Sequence, residues 1–365
     1  MENQYKLRLE KIEEHLNSWL PKNSEPLWFE KVFELPGEYI DHILLESLAY
    51  PGWDLVNRGG KRWRPLLMYL IAEALAGEHG AAAALPLTPM VEFAHNASLI
   101  HDDIEDNSDI RRGKPAVHLL YGNDAAINSG SFLYFLSTAC LSSSEIKCET
   151  KYRIQEAWNT YMRRLHLGQA MDINWHKYYY SLPDMLLYEK MCRLKTGCLA
   201  RLAAILAVLC VKDLLNASCG EVSDKNQVLT DNNIEILGEA AEKLGLGFQI
   251  LDDVKNLMAG APGKKRGDDI VEGKKSLPVL FYLHRYPKKQ EYVVSCFEAA
   301  RSKGIDAPEL EEFIKDLEKT GILEESKGKG EEFIKESRML FAEFSVFKDD
   351  RAKKMLTGLI DFISS

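Results

Sequence analysis

Apolar residues recur at spacings of three and four along almost the whole chain, and no other feature constrains the fold as strongly. Such spacing places apolar side chains on one face of an α-helix. Alternating patterns bounded by turns, which predict β-strands, are scarce. We therefore predict an all-α protein. The helical pattern is clearest in residues 66–76, 89–104, 125–141, 153–175, 186–211, 234–257 and 308–317.

The charge and the cysteine content narrow the function. Lys and Arg number 46 against 55 Asp and Glu, and the formal net charge is −9. A nucleic-acid interface needs a basic face, so we expect no nucleic-acid partner, although local cations or a metal can still bind an anionic ligand. The seven cysteines show no Cys-x-x-Cys spacing, and we expect reduced thiols in the cytoplasm.

The order of loops and apolar runs predicts one domain, residues 1–365, with residues 1–54 as a helical N-terminal extension. The longest apolar run, 202–211, is about half of the roughly 20 residues that span a membrane, so we expect a buried helix. Thr88 is expected to cap a helix that begins at Pro89. Residues 324–331, EESKGKGE, are predicted to form a solvated connection.

Two acidic clusters end apolar segments, at Asp102-Asp103-Ile104-Glu105-Asp106 and at Asp252-Asp253. On a helix Asp102 and Asp106 lie one turn apart on one face, about 6 Å along the axis, a spacing that suits Mg²⁺. A solvated helix end is the alternative for one cluster alone. Two such ends could face each other across a bundle and share metal ions. A third acidic run, 268–272, is interpreted as a decoy.

Cationic residues bracket both clusters. Each of them taken alone is compatible with an ordinary solvated side chain. Together with metal-binding carboxylates they predict a site for more than one phosphate group, because Arg binds phosphate oxygens in pairs and Lys acts as a mobile charge. These cations are Lys61, Arg64, Arg111, Arg112, Lys195, Lys264, Lys265 and Lys274.

Six motifs occur in one order, namely GGKRWRP, DDIEDNSDIRRG, GQAMDINW, KTG, GFQILDDVKNL and GDDIVEGKKSLP. With these motifs the chain resembles the trans-isoprenyl diphosphate synthases of the polyprenyl synthetase family, over a core of about residues 55–285. The resemblance implies a single large helical bundle around a central active-site cavity, usually in a homodimer. It also implies the Mg²⁺-dependent, head-to-tail condensation of isopentenyl diphosphate with dimethylallyl, geranyl or farnesyl diphosphate.

The resemblance further implies a role for individual residues. About three Mg²⁺ ions would bind at Asp102, Asp106 and Asp252, with Asp103 and Asp253 completing the catalytic motifs. The allylic headgroup would be held by Arg111, Lys195, Thr196, Gln249, Lys265 and Lys274. Isopentenyl diphosphate would be held by Gly60, Lys61, Arg64, His95 and Arg112. Gln169 and Asp172 match an inward-facing pair of the family.

The residues that set the product length are predicted below the first acidic pair. Ala97 and Ser98 are small and lie about one helical turn deeper, which leaves room for a long tail. Tyr134, Phe135 and His166 lie in segments that resemble the lower floor of geranylgeranyl diphosphate synthases, with ordinary core residues as the alternative. We predict geranylgeranyl diphosphate as the main product and longer polyprenyl products second.

Two other functions remain as alternatives. A terpene cyclase shares helical folds and an Asp-rich metal site but needs no isopentenyl diphosphate pocket, so Lys61, Arg64 and Arg112 argue against it. A non-catalytic, regulatory synthase subunit typically loses one acidic motif, whereas this chain has both. Asn256, where many family members have a third Asp, is the one feature in favour of such a subunit, and we interpret it as a mark of subtype.

Overall fold

The computed structural model describes residues 2–23, 25–36, 42–177, 182–218, 229–258 and 266–364, and these are almost entirely helical. The all-α prediction is confirmed. The strands within these ranges are one antiparallel pair, β1 (Ile110–Arg111) and β2 (Lys114–Pro115). Among the helices described, none combines the length and the apolar character that crossing a bilayer requires.

The chain divides into two compact units. Unit 1 comprises Met1–Thr160, Leu202–Gly238 and Phe341–Leu359, and unit 2 comprises Tyr161–Arg201, Glu239–Leu340 and Ile360–Ser365. The single-domain prediction for residues 1–365 and the prediction of a central active-site cavity both stay predictions.

Unit 1 is built on helices of the N-terminal half. They are α1 (Glu2–Trp19), α2 (Pro26–Phe33), α3 (His42–Asn57), α4 (Trp63–Ala84), α5 (Thr88–Glu105), α6 (Val117–Tyr121) and α7 (Asn123–Ser142). Helix α4 is buried over most of its length, because Leu66 to Ala72 point into packed surroundings on every side. Helix α5 packs against α4 and α7 and carries the first acidic motif at its C-terminal end.

Within the described ranges, unit 2 holds five of the ten remaining helices in full, and the other five are divided between the units. The helices held in full are α9 (Met185–Cys192), α12 (Asp268–Glu272), α13 (Leu277–Arg285), α14 (Gln290–Lys303) and α15 (Pro308–Lys319), while both units share α8 (Cys148–Lys177), α10 (Cys198–Ser218), α11 (Asp231–Met258), α16 (Ile322–Glu343) and α17 (Asp350–Ser364). A core of aromatic and aliphatic side chains, including Phe297 and Phe313, joins α13, α14 and α15. A second cluster around Trp175 and Tyr188 joins α8, α9 and α11.

Two local predictions need correction. Residues 324–331 lie inside α16, so the predicted connection was wrong. Exposed ion pairs such as Lys329–Glu332, at 2.8 Å, support this helix, and Gly330 lies so close to α11 that a β-carbon there would be 3.0 Å from Leu251. Helix α5 begins at Thr88, one residue early, and the Thr88 hydroxyl donates to the Leu85 carbonyl at 2.7 Å.

Candidate active site

The first acidic motif lies at the C-terminal end of α5 and is joined to an arginine of the short hairpin. Asp103 is buried and accepts hydrogen bonds from Arg111 Nε at 2.7 Å and Nη2 at 2.5 Å. The same Nη2 lies 3.6 Å from Asp102 Oδ2. Asp102 and Asp106 are half-buried. The structure therefore brings Arg111 onto this motif, where a charge-assisted pair fixes the guanidinium.

A second group of unit 1 gathers the residues predicted to hold isopentenyl diphosphate. Arg64 Nη1 lies 3.3 Å from His95 Nε2, and the Arg64 guanidinium stacks on the Trp63 ring at 4.4 Å. Arg112 Nη1 donates to the Leu55 carbonyl at 2.9 Å and to Asn96 Oδ1 at 3.1 Å. We call Gly60, Lys61, Arg64, His95 and Arg112 the cationic cluster.

Gly60 and Lys61 belong to the loop that leads into α4. The Arg112 guanidinium packs against Gly60, while Lys61 is exposed. Arg112 adopts a left-handed backbone, with φ of 53°, which a non-glycine residue rarely does. The two neighbouring arginines have different partners, since Arg111 contacts Asp103 and Arg112 contacts Asn96.

The cationic cluster keeps its histidine neutral. Burial, and then the guanidinium groups of Arg64 and Arg112, lower the pKa of His95 well below its ordinary value of 6.5. Burial also lowers the pKa of Arg112 to about 10. At neutral pH the cluster thus offers two guanidinium groups and an uncharged imidazole, an arrangement that suits a phosphate group.

In unit 2 the Lys195 side chain extends from a π-helical turn, Arg193–Gly197, between α9 and α10. Lys195 Nζ lies 2.5 Å from Asp172 Oδ2, and His176 Nε2 lies 2.9 Å from Asp172 Oδ1. Burial raises the pKa of Asp172, but Lys195 and His176 outweigh it and hold that pKa well below 3.8. Asp172 is therefore ionised, with Lys195 as its cationic partner and the His176 imidazole at hydrogen-bonding distance.

Close packing of α8 fixes this turn. A β-carbon at Gly168 would lie 2.5 Å from the Lys195 backbone nitrogen and 2.7 Å from the Leu194 carbonyl carbon. Helix α8 can therefore pack this closely against the turn only because residue 168 is a glycine. Gln169, the next residue, is half-buried. Single-turn π-helical segments within α-helices often occur at functional sites.

A hydrogen-bonded chain runs from the turn to the second acidic motif. Thr196 Oγ1 donates to Gln249 Oε1 at 2.7 Å, and Gln249 Nε2 donates to Asp253 Oδ1 at 2.8 Å. The Tyr188 hydroxyl donates to Asp253 Oδ2 at 3.1 Å. Both oxygens of the buried Asp253 are thus bonded within the protein, whereas Asp252 is exposed.

Carboxylates crowd around Asp253. Burial, and then the charges of Asp269 and Asp252, raise the pKa of Asp253 to about 8. Lys274 Nζ lies 3.2 Å from Asp269 Oδ1 and 2.5 Å from Glu272 Oε2. The predicted cation Lys274 is thus brought to the site, and a bound cation would offset the remaining negative charge.

Asn256, which stands where many family members have a third Asp, makes contacts that are structural. Its side-chain oxygen accepts from the Asp269 backbone N–H at 3.3 Å, and its carbonyl accepts from Gly267 N–H at 3.0 Å. Asn256 therefore fastens α12 to α11. Lys264 and Lys265 lie outside the described residues.

The residues predicted to set product length have different surroundings. Ala97 is fully buried, and the Ser98 hydroxyl donates to the His95 carbonyl. Tyr134 is buried, with its ring centroid 5.8 Å from that of His101. By contrast, Phe135 is 73% exposed, and His166, on α8 in unit 2, is exposed with Nδ1 2.9 Å from the Met162 carbonyl.

The carboxylates of the acidic motifs can be compared with what a magnesium ion needs. Among the described residues, no three carboxylate, imidazole or thiolate side chains converge as a complete ligand set. Magnesium commonly binds through one or two carboxylates and takes its other ligands from water and substrate phosphates. Asp102 with Asp106 in unit 1, and Asp252 in unit 2, fit that pattern. The predicted meeting of the two motifs stays a prediction.

Four side chains of these networks were not predicted from the sequence. Asp269 belongs to the run interpreted as a decoy for a metal site, and that interpretation stays a prediction; the structure adds that Asp269 is buried and paired with Lys274. Spacing could have indicated His176, one turn after Asp172 on the same helix. Tyr188 and Asn96 gave no local signal, because their partners Asp253 and Arg112 are distant in sequence.

Comparison with known proteins gives consistent matches. A family model described as Polyprenyl synthetase matches residues 45–314. A short chain isoprenyl diphosphate synthase from Methanocaldococcus jannaschii is 33% identical over 342 residues, 92% of this chain and 94% of that protein. A geranylfarnesyl diphosphate synthase from Aeropyrum pernix is 29% identical over 337 residues, 89% and 98% of the two chains. The solved geranylgeranyl pyrophosphate synthetase from Pyrococcus horikoshii Ot3 matches with a TM-score of 0.80 and 25% identity, over 100% of this chain and 97% of that one.

Proposed function

Because the chain belongs to the polyprenyl synthetase family, we propose that its motif residues condense isopentenyl diphosphate with an allylic diphosphate, with geranylgeranyl diphosphate as the main product. Family membership makes the chain a prenyltransferase of the trans-isoprenyl diphosphate synthase class, as the sequence motifs predicted. The observation that carries the proposal is the gathering of Gly60, Arg64, His95 and Arg112 into one cationic cluster.

The cationic cluster is the proposed site for isopentenyl diphosphate. Two guanidinium groups offer paired donors to phosphate oxygens, and the exposed Lys61 adds a mobile charge. The neutral imidazole of His95 adds a hydrogen-bonding group without raising the charge further. In this site no protein nucleophile is required, because the double bond of isopentenyl diphosphate is itself the nucleophile.

The residues around Asp172 and Asp253 are the proposed site for the allylic diphosphate. Lys195, Thr196, Gln249 and Lys274 would hold its headgroup, with Arg111 and Lys265 as further proposed contacts. The allylic C–O bond breaks, and the diphosphate leaves with its bonding electrons. Fixed cations stabilise that growing negative charge more in the transition state than in the ground state.

The carbon skeleton is joined after this bond breaks. The double bond of isopentenyl diphosphate attacks the allylic cation, a C–C bond forms, and a proton leaves the new cation, which we assign to the released diphosphate as acceptor. Buried residues above the small Ala97 would line a dry path for the growing tail, since water would quench the cation.

The family is magnesium-dependent, and the carboxylates of this chain fit such an ion. We propose that Asp102, Asp106 and Asp252 hold about three Mg²⁺ ions per site. Bound magnesium would neutralise diphosphate charge. The crowding of Asp253, Asp252 and Asp269 supports the assignment, because a nearby cation would relieve their repulsion.

We also propose a homodimer that works in the cytoplasm. Apolar side chains are exposed on α6 and α7, among them Leu119 at 55%, Ile127 at 49% and Phe135 at 73%. Neighbouring exposed apolar residues on one part of a surface are typical of an interface. The cysteines of the described ranges have free thiols, which suits a reducing compartment.

The test is a product analysis of the purified protein. Labelled isopentenyl diphosphate, Mg²⁺ and each of dimethylallyl, geranyl and farnesyl diphosphate would be incubated, with chromatography of the dephosphorylated products. Elongated linear alcohols, with geranylgeraniol as the largest peak, are expected. Cyclic hydrocarbons would support a cyclase, and no turnover would support a regulatory subunit. Lys195→Ala should lose most of the rate, while Lys190→Ala, an exposed lysine of α9, should keep it.

A further inference from the structure

Helix α1 contacts the loop of the cationic cluster although it precedes the family match, which begins at residue 45. Its apolar face is fully packed, with Ile12, Leu16 and Trp19 buried. The helix lies against α4 and α5, which carry the cluster residues. Helix α1 therefore forms part of the packing that surrounds the cationic cluster.

One polar contact links α1 to the glycine-rich motif itself. Glu13 Oε1 accepts a hydrogen bond from Arg62 Nε at 2.7 Å. Arg62 stands between Lys61 and Trp63, two residues before Arg64, and marks the start of α4. Glu13 therefore acts on the short segment from which two cluster side chains extend.

The Arg62 side chain anchors a strained backbone. Arg62 is in the left-handed region, with φ of 45° and ψ of 29°, a conformation that non-glycine residues keep only when contacts fix it. Those contacts come from its buried guanidinium, which donates to Glu13, to Glu92 Oε1 at 2.8 Å and to the Val56 carbonyl. Of the two carboxylates, Glu13 alone comes from outside the family match.

The same network continues to the far side of the cluster. Glu92 Oε1 also accepts from Asn96 Nδ2 at 2.9 Å, and Asn96 Oδ1 accepts from Arg112 Nη1 at 3.1 Å. A continuous chain of hydrogen bonds thus runs from Glu13 through Arg62, Glu92 and Asn96 to Arg112. Charged members of such a buried network fix one another in position.

We propose that Glu13 is a positioning residue for isopentenyl diphosphate: it holds Arg62 in its left-handed conformation, and so sets the directions of Lys61 and Arg64. This inference rests on the proposed function, which assigns the cationic cluster to that substrate. Glu13 does not touch the substrate. Its carboxylate matters as a hydrogen-bond acceptor at a fixed place, since Arg62 Nε is buried and needs a partner.

The test compares Glu13→Ala with Glu13→Gln in steady-state kinetics of the full chain. Loss of the acceptor in Glu13→Ala should raise the KM for isopentenyl diphosphate about fivefold, in the range expected for a partly exposed ion pair. The KM for farnesyl diphosphate and kcat should change less than about twofold. Glu13→Gln should stay near the wild type, because its amide oxygen still accepts from Arg62.

Two control variants distinguish a specific effect on the cluster loop from a general destabilisation of α1. Glu14→Ala removes the neighbouring exposed carboxylate of α1. Arg8→Ala breaks another ion pair of α1, in which Arg8 donates to Glu73 at 2.8 and 2.6 Å, away from the cluster loop. Both variants should keep the wild-type KM for isopentenyl diphosphate.

Several results would overturn the inference. An unchanged KM in Glu13→Ala would do so, as would an equal rise in Arg8→Ala or equal effects on both substrates. A fall in KM, alike in Glu13→Ala and Glu13→Gln, would show that Glu13 acts only by lowering the positive field. A wild-type protein that elongates nothing would refute the proposed function and this inference together, whereas normal wild-type turnover with an unaffected Glu13→Ala refutes the inference alone.

Discussion

Lys275 is buried, and Lys275→Met should therefore be more stable than the wild type at neutral pH. This difference in stability should disappear at alkaline pH. Lys275 lies in a small pocket lined by Leu283, Val293 and Phe297, and its Nζ is 4.6 Å from the Phe297 ring centroid. Burial lowers the pKa of Lys275 from 10.5 to about 8. The difference between the pKa of Lys275 in the unfolded and folded states corresponds to about 3 kcal/mol of folding free energy.

The sign follows from proton binding. Between pH 8 and pH 10.5 the unfolded chain keeps a proton on Lys275 that the folded chain has lost, so wild-type stability rises with pH in this window. Below the window both states are protonated, and the folded state carries the full cost of a buried charge. Lys275→Met lacks this titration, so its advantage over the wild type should shrink by about 3 kcal/mol across the window.

Urea unfolding at closely spaced pH values, followed by circular dichroism, measures this difference directly. The other titrating groups are present in both proteins, so their contributions cancel in the difference between the two unfolding free energies. The exposed Lys288→Met is the matched control and should show a difference from the wild type that does not vary with pH. If Lys275→Met shows the same flat line, the reasoning from burial is refuted.

Three further predictions concern the site. Gly168→Ala should destabilise the protein by about 1–3 kcal/mol, because its β-carbon meets the backbone of Lys195, whereas Gly328→Ala, with open space around it, should not lower the melting temperature. Ala97→Phe should shift chromatographed products toward farnesyl diphosphate, and an unchanged product distribution would contradict the floor assignment. The last prediction concerns His95, whose pKa is lowered in the folded state, so that in acid the unfolded chain binds a proton that the folded chain does not. From about pH 7 to about pH 5 the wild type should therefore lose more unfolding free energy than His95→Gln. Equal losses in the two proteins would contradict this.

The fold was largely predictable because helical periodicity is a local property. The exception at residues 324–331 is instructive. Glycine and lysine there predicted a connection, but Gly330 is where α16 and α11 approach closely, and that approach has no signature in the sequence of α16. The effect of Asp269 on Asp253 was not predicted for a similar reason, since the two carboxylates are sixteen residues apart and are brought together only by folding.

The sequence by itself determined the helical class, the six ordered motifs and the residue types that bind diphosphate and magnesium, because these depend on composition and on spacing within a few turns. Only the tertiary structure decided which members of a motif act on which partners. Arg111 and Arg112 are adjacent in sequence, yet one pairs with Asp103 and the other with Asn96. A backbone dihedral angle and the packing of distant helices make that choice, and neither is encoded in the local order of residues.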